Sequence, residues 1–168
     1  MTQGATVDPD IYIALLEDWP LRIGEFVCAF SACEYWTYVF LEGLGGKKAR
    51  ADAAFQLDRR VDQVKHLAKQ RALPDELRKE LVTALAELKT LSRCRNLASH
   101  NAPMAHVFVN ELSGETELRF ELRAANAIEK SATRENLRSW FTRAMSLERQ
   151  LALLAGKTSL VFRERGKR

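Results

Sequence analysis

The chain has 168 residues, 46% of them hydrophobic, and its 26 basic and 22 acidic residues give a formal net charge of +4. This length and apolar content suit one ordinary core, so we predict a single domain over residues 1–168. Residues 1–10 lack the basic and apolar runs of a signal peptide, and polar residues interrupt the most apolar stretch, 26–41, which argues against a membrane span. We therefore expect a cytoplasmic protein without a membrane partner, and its mild basic bias permits an anionic partner without requiring one.

Five helices are predicted from the spacing of apolar residues and from helix start and stop signals. Trp19-Pro20 is expected to separate the first helix from the second, and Gly45-Gly46 is expected to end the second. Thr133 is the expected N-cap of the last helix. The predicted helices span residues 11–18, 21–44, 49–71, 74–99 and 133–155, and residues 157–168 are interpreted as a basic, solvated tail.

The apolar period changes between the last two of these helices. Apolar and polar residues alternate over about 105–123, and Ser113-Gly114 is a turn signal, which together predict a β-hairpin. The predicted fold is mainly α: an antiparallel bundle of four to five helices, with its core at about 21–155 and the hairpin inserted before the last helix.

Three cysteines, Cys28, Cys33 and Cys94, are odd in number and fit no Cys/His ligand spacing. Each lies in strongly helical, apolar surroundings. We interpret them as buried free thiols rather than disulfides or zinc ligands, and we expect neither a metal nor a cofactor.

Arg95 interrupts the leucine face of the helix over 74–99. With an advance of about 100° per residue, Arg95 falls at the centre of that face, and Ser92 and Ser99 lie close beside it. Burying an unpaired charge costs several kcal/mol, so this end of the helix is expected to open to a cleft, a ligand, another subunit or an acid. Glu34 could be that acid, because it lies among apolar residues of its own helix. It either marks a narrow polar seam or orients Arg95 or a nearby hydroxyl.

His100 follows Arg95 by five residues, which in a continuous helix places the two side chains about 140° apart, while Asn96 and His100 stack at i, i+4. Three arrangements could form one site. Arg95 could bend around the helix end, the last turn could unwind before Pro103, or a partner subunit could complete the site. In a purely structural alternative, Arg95 complements the helix dipole and His100-Asn101 caps the C-terminus.

This helix end resembles the signature of the HEPN superfamily, an Arg with a polar neighbour followed after four intervening residues by a His, here Arg95-Asn96-Leu97-Ala98-Ser99-His100. The resemblance covers about residues 21–155, and it lies in the predicted arrangement of helices more than in amino-acid identity. It implies a ribonuclease or nucleotide-binding fold, usually a homodimer in which facing Arg/His motifs form one composite site. Ala102 stands where some family toxins carry a Tyr that a partner enzyme nucleotidylates, so that regulation is not carried over.

Arg59 and Arg60 also stand at permitted distances before His66. They lie in the middle of a charged amphipathic helix, and we interpret them as part of its solvated face. The match from Arg95 to His100 differs because it combines a following Asn, an apolar-face position and a helix end.

RNA carries its own nucleophile, the 2′-OH, so cleavage requires a group that moves protons and a cation that stabilises the phosphate charge. The sequence therefore favours a metal-independent endoribonuclease that leaves 2′,3′-cyclic phosphate and 5′-hydroxyl ends. A homodimer would supply a second His, because one His cannot readily be base and acid at once. The expected partners of the protein are substrate RNA, a second copy of the chain and an antitoxin or regulatory protein. The expected biological role is that of a toxin or a defence protein. The candidate site consists of catalytic Arg95, His100 and Asn96, with Glu34, Ser99 and Ser92 in support.

The sequence has no phosphate-cradling Gly-rich loop, HExxH motif or nucleophile elbow, so no motif favours a different enzyme. Two functions that are not catalytic remain open. One is a non-catalytic module of the same fold that binds a nucleotide, RNA or a protein. The other is a dimerising bundle with a structural polar cluster. RNA cleavage in the presence of a chelator distinguishes the enzyme from both, and a bound nucleotide or copurifying RNA distinguishes the module from the plain dimer.

Overall fold

The structure is a computed structural model that describes residues 9–110, 112–124 and 127–165. Over these residues the chain is mainly helical, with a small antiparallel sheet before the last helix, which confirms the predicted fold class in its coarse form. The elements in chain order are α1 Pro9–Ala51, α2 Leu57–Gln70, α3 Asp75–His100, β1 Pro103–Val109, β2 Thr116–Ala124, β3 Ala127–Ala132 and α4 Arg134–Arg165.

The first two predicted helices form one helix, because α1 continues through Pro20. A proline inside a helix removes one backbone hydrogen bond and costs about 3 kcal/mol. Burial of large α1 side chains, Trp19 next to the proline and Phe26 and Phe30 further along the helix, offsets this cost. The predicted helix end at Gly45-Gly46 is confirmed, since Gly46 has a non-helical φ of 80° and ψ of 179°; a short second helical segment then runs to Ala51 within the range given for α1.

α1 and α4 are parallel neighbours, and they form the most extensive helix interface of the described chain. Four pairs of contacting residues advance together along both helices: Trp19 with Arg134, Phe26 with Trp140, Cys33 with Ala144 and Trp36 with Glu148. α3 runs antiparallel to α4, because Glu87 pairs with Arg143 and Glu80 with Lys157. The predicted antiparallel bundle is therefore wrong for the α1 and α4 pair.

α4 begins as predicted and ends later than predicted. The Thr133 hydroxyl accepts the Asn136 N–H at 3.4 Å, and the Asn136 side chain accepts the Thr133 N–H at 2.9 Å. This reciprocal cap satisfies two backbone donors at the helix start. Residues 157–165 continue the helix instead of forming a tail, and Thr158 is 3% exposed.

The predicted hairpin is the β1 and β2 pair, with Pro103 opposite Leu122 and Val109 opposite Thr116. Its turn uses Gly114, whose φ of 71° suits glycine. β3 is an additional strand, antiparallel to β2, that the sequence did not indicate. The sheet closes one end of the core with the buried side chains of Leu122 and Ala132.

All three cysteines are free thiols. Cys33 is buried and Cys94 is partly buried, but Cys28 is exposed, so the predicted burial is wrong for Cys28. In the part of the chain that the structure describes, no helix is long and apolar enough to cross a membrane.

Candidate functional site

Arg95 lies near the end of α3, half-buried, with its guanidinium carbon 5.2 Å from the centre of the Phe30 ring on α1. A cation over a ring face gains about 0.5–2 kcal/mol, which does not replace the hydrogen bonds that a guanidinium loses when it leaves water. Among the described residues, no carboxylate pairs with Arg95 and no acceptor takes its N–H groups. The guanidinium donors are therefore open to an anionic ligand.

His100 is the last residue of α3 and is exposed. Because α3 is continuous to this residue, the expected alternative of an unwound last turn is not observed. The Arg95 guanidinium is directed towards α1, and helical geometry places the His100 side chain about 140° away and about 7.5 Å further along the axis. One copy of the chain thus presents the two groups in different directions.

The other polar residues of the motif accompany His100 or flank Arg95. Asn96 and Ser99 are exposed, and Ser92 is half-buried one turn before Asn96. The Asn101 side chain donates to the Leu97 carbonyl at 2.8 Å and closes the end of α3. Asn101 therefore supplies the cap, and the His100 imidazole remains available for other contacts.

Glu34 does not pair with Arg95, which one of its two interpretations named as a partner beside a nearby hydroxyl. Its carboxylate accepts a hydrogen bond from Arg60 on α2 instead. The physical reason is that α1 is apolar on most of its circumference. The spacing of its residues therefore shows that Glu34 faces inward, but it does not show which neighbouring helix Glu34 faces. Glu34 lies one turn after Phe30, so the ion pair and Arg95 are neighbours along α1.

Arg60 is buried, with 1% exposure, and its interpretation as part of a solvated face is wrong. Besides Glu34, it donates to the Thr37 hydroxyl and to the carbonyls of Ala54 and Phe55, at 2.8 to 2.9 Å. Its guanidinium carbon also lies 4.4 Å from the centre of the Tyr38 ring. A sequence signal was present, because Arg60 stands three residues after one apolar-face residue and four before another. Arg60 joins α2 to α1 rather than forming a second site.

An open groove of about 540 Å³ lies at the C-terminal part of α1. Its lining consists of two aromatic rings, two cations and one methyl group: Tyr35, Tyr38, Lys47, Arg50 and Ala51. This groove, which we call the tyrosine groove, was not predicted, because nine to fifteen residues, about two and a half to four helical turns, separate the tyrosines from the cations in the sequence.

Further arginines lie where the first part of α1 meets the start of α4. A shallow groove of about 220 Å³ there is lined by Arg22, Arg134 and Arg138, together with Asp18 and Glu135. Asp18 pairs with Arg22 at 2.7 Å, and Glu135 lies in the first turn of α4. The basic residues of this groove thus outnumber its acids by one.

The remaining reactive side chains do not form a competing site. Burial and the nearby Glu148 raise the pKa of the Cys33 thiol to about 12, and the thiol donates to the Ala144 carbonyl at 3.1 Å. A thiol in this state is a poor nucleophile. Within the described ranges, no group of three or more His, Cys, Asp and Glu side chains has the arrangement of a metal site.

Comparison with protein-family models, curated proteins and solved structures gives no match for this chain.

Proposed function

We propose that this protein is a metal-independent endoribonuclease of the HEPN type, in which Arg95 and His100 act at a site shared by two copies of the chain. The observation that carries the proposal is the state of Arg95. It is half-buried over Phe30, and none of the described acids neutralises it. A cation held in this way is prepared to bind a phosphate, which accepts the paired N–H groups of a guanidinium.

The reaction follows from the chemistry of RNA. One imidazole takes the proton of the 2′-OH, and the 2′ oxygen attacks the adjacent phosphorus. The bond between phosphorus and the 5′ oxygen breaks, and a second imidazole gives that oxygen a proton. Arg95 stabilises the charge on the equatorial phosphate oxygens, and Asn96 positions the phosphate or the imidazole. The products are a 2′,3′-cyclic phosphate and a 5′-hydroxyl.

A homodimer is part of the proposal because one chain offers one His at this site. Arg95 and His100 of one copy face different directions on α3, which also supports a homodimer, since a two-fold partner can bring a second Arg and His to the site that one copy leaves incomplete. RNA, a second copy and a neutralising or regulatory protein are the proposed partners, in a toxin or defence role.

The deciding experiment incubates the purified protein with mixed RNA, with and without EDTA, and identifies the product ends. We expect cleavage in both conditions and 2′,3′-cyclic phosphate ends. Absence of cleavage across a broad RNA panel, or cleavage that EDTA abolishes, contradicts the proposal.

The second candidate is a non-catalytic module of the same fold that binds RNA or a nucleotide. The tyrosine groove favours it, because the groove offers aromatic rings and cations away from Arg95 and His100. RNA that copurifies with the protein but is never cut would support this candidate.

A further inference from the structure

Two tyrosine rings in the tyrosine groove are held in place by arginines. The Arg50 guanidinium carbon lies 5.6 Å from the centre of the Tyr35 ring, and its Nη2 donates to the Tyr35 hydroxyl at 3.5 Å. Tyr38 is fixed by the buried Arg60. A ring that is already ordered loses little entropy when a second flat group stacks on it. Tyr35 is nonetheless 52% exposed, so its ring is accessible to a ligand.

The charges of the groove are positive. Its lining contains Lys47 and Arg50 and no carboxylate. Arg50 also pairs with Glu42 at 2.5 Å, just outside this lining, whereas Lys47 is exposed and no described acid pairs with it. The ligand that matches these groups combines flat rings with negative charges, which are the properties of a nucleotide.

The groove lies on the same helix as the contact of Arg95. Tyr38 follows Phe30 by eight residues, which is about 12 Å along α1. Ser31, an exposed residue one turn before Tyr35, lies on the intervening surface. A short run of nucleotides can therefore extend from the Arg95 and His100 end of α3 along α1 to the tyrosines.

We propose that the tyrosine groove binds single-stranded RNA, with bases stacked on Tyr35 and Tyr38 and backbone phosphates on Lys47 and Arg50. The choice of RNA as the ligand rests on the function proposed above. The groove itself does no chemistry. It holds the strand that enters the cleavage site, and it does so without base-specific hydrogen bonds, so binding tolerates many sequences.

The test measures binding of a fluorescently labelled single-stranded RNA of about eight nucleotides by anisotropy, with His100→Ala as the parent so that the RNA stays intact. We expect Tyr35→Ala and Lys47→Glu each to weaken binding about five- to tenfold, because each removes one stacking platform or one phosphate contact. Tyr35→Phe keeps the ring and is expected to bind like the parent. Lys79→Glu, the same charge change on an exposed lysine of α3, is the matched control. Circular dichroism checks that every variant is folded.

The proposal is overturned if the parent binds no RNA, if Tyr35→Ala binds like the parent, or if Lys47→Glu weakens binding no more than Lys79→Glu. It is also overturned if Tyr35→Phe loses as much affinity as Tyr35→Ala, or if adenosine monophosphate binds as tightly as the oligonucleotide. The cleavage assay of the wild-type protein is independent of this measurement. If the wild-type protein does not cleave RNA but the groove variants weaken RNA binding as expected, only the ribonuclease function is contradicted. If the wild-type protein cleaves RNA but the groove variants bind RNA like the parent, only the groove proposal is contradicted.

Discussion

Arg60 of α2 and Glu34 of α1 form an ion pair in which the guanidinium is 1% exposed and the carboxylate side chain 25% exposed. The arginine also holds two carbonyls of the segment between α1 and α2. One side chain therefore fixes the start of α2, the segment before it and the middle of α1. Taking a guanidinium out of water is costly, and the full set of acceptors around Arg60 is what makes it tolerable here.

Replacing Arg60 with Ala is expected to lower the free energy of unfolding by about 3–5 kcal/mol, because it leaves the partly buried Glu34 carboxylate and two carbonyls without their donor. Urea denaturation measures this change. Arg59→Ala removes the same side chain from the neighbouring, exposed position and is expected to cost less than about 0.5 kcal/mol. Equal losses for the two variants would show that the buried network contributes no more than a surface arginine.

Arg95→Ala and His100→Ala are expected to reduce RNA cleavage by about a hundredfold to ten-thousandfold each, because they remove the charge-stabilising cation and a proton-transfer group. His66→Ala is the control, since His66 is exposed on α2. It is expected to keep full activity. A gel assay with quantified product separates these results, and cleavage by either motif variant at the wild-type rate refutes its role.

Light scattering is expected to give a mass twice the 19.1 kDa of one chain. Because the proposed site needs both copies, an excess of inactive subunits should capture the active ones. After subunit exchange with a roughly ninefold excess of His100→Ala, activity at saturating RNA is expected to fall to about a tenth. The same mixture assayed before exchange is the control. A monomer at all concentrations, or activity unchanged after exchange, contradicts the shared site.

Alkylation of the native protein with iodoacetamide at about pH 8 is expected to modify Cys28 first and Cys33 last. Cys28 is exposed, whereas burial holds the pKa of Cys33 at about 12, so its reactive thiolate is scarce at this pH. Burial also raises the pKa of Cys94, which should react at an intermediate rate. Mass spectrometry of the digested protein follows each site. Equal rates at Cys28 and Cys33 would contradict the described packing, and denatured protein should show all three modified together.

The predictions from sequence succeeded where a local signal decides the structure. The cap at Thr133, the start of α3 at Asp75 and the turn at Gly114 depend on a few neighbouring residues. They failed where tertiary packing overrides the local signal. Pro20 was expected to separate two helices, but α1 is continuous through it, and the burial of Trp19 and of Phe26 further along α1 offsets the cost of the proline.

The candidate site was predictable in part. Periodicity placed Arg95 on the inner face of α3, and the structure puts it against α1. The same periodicity could not show that Glu34 faces α2, because pairing across helices depends on how they are arranged in space. β3 was missed for a similar reason. Its sequence, Ala-Ile-Glu-Lys-Ser-Ala, is weakly patterned, and the strand forms because β2 offers it an open edge.

The parallel contact of α1 and α4 makes the covering of α1 depend on a helix that lies far from it in the sequence. The bonds from Cys33 and Trp36 to α4 join residues 111 and 112 positions apart. Contacts this distant form slowly, because the entropy of closing a long loop is lost before the contacts compensate for it. During synthesis the apolar side of α1 emerges well before α4 exists to cover it. Until α4 is complete, this surface is open to solvent and favours aggregation of the nascent chain.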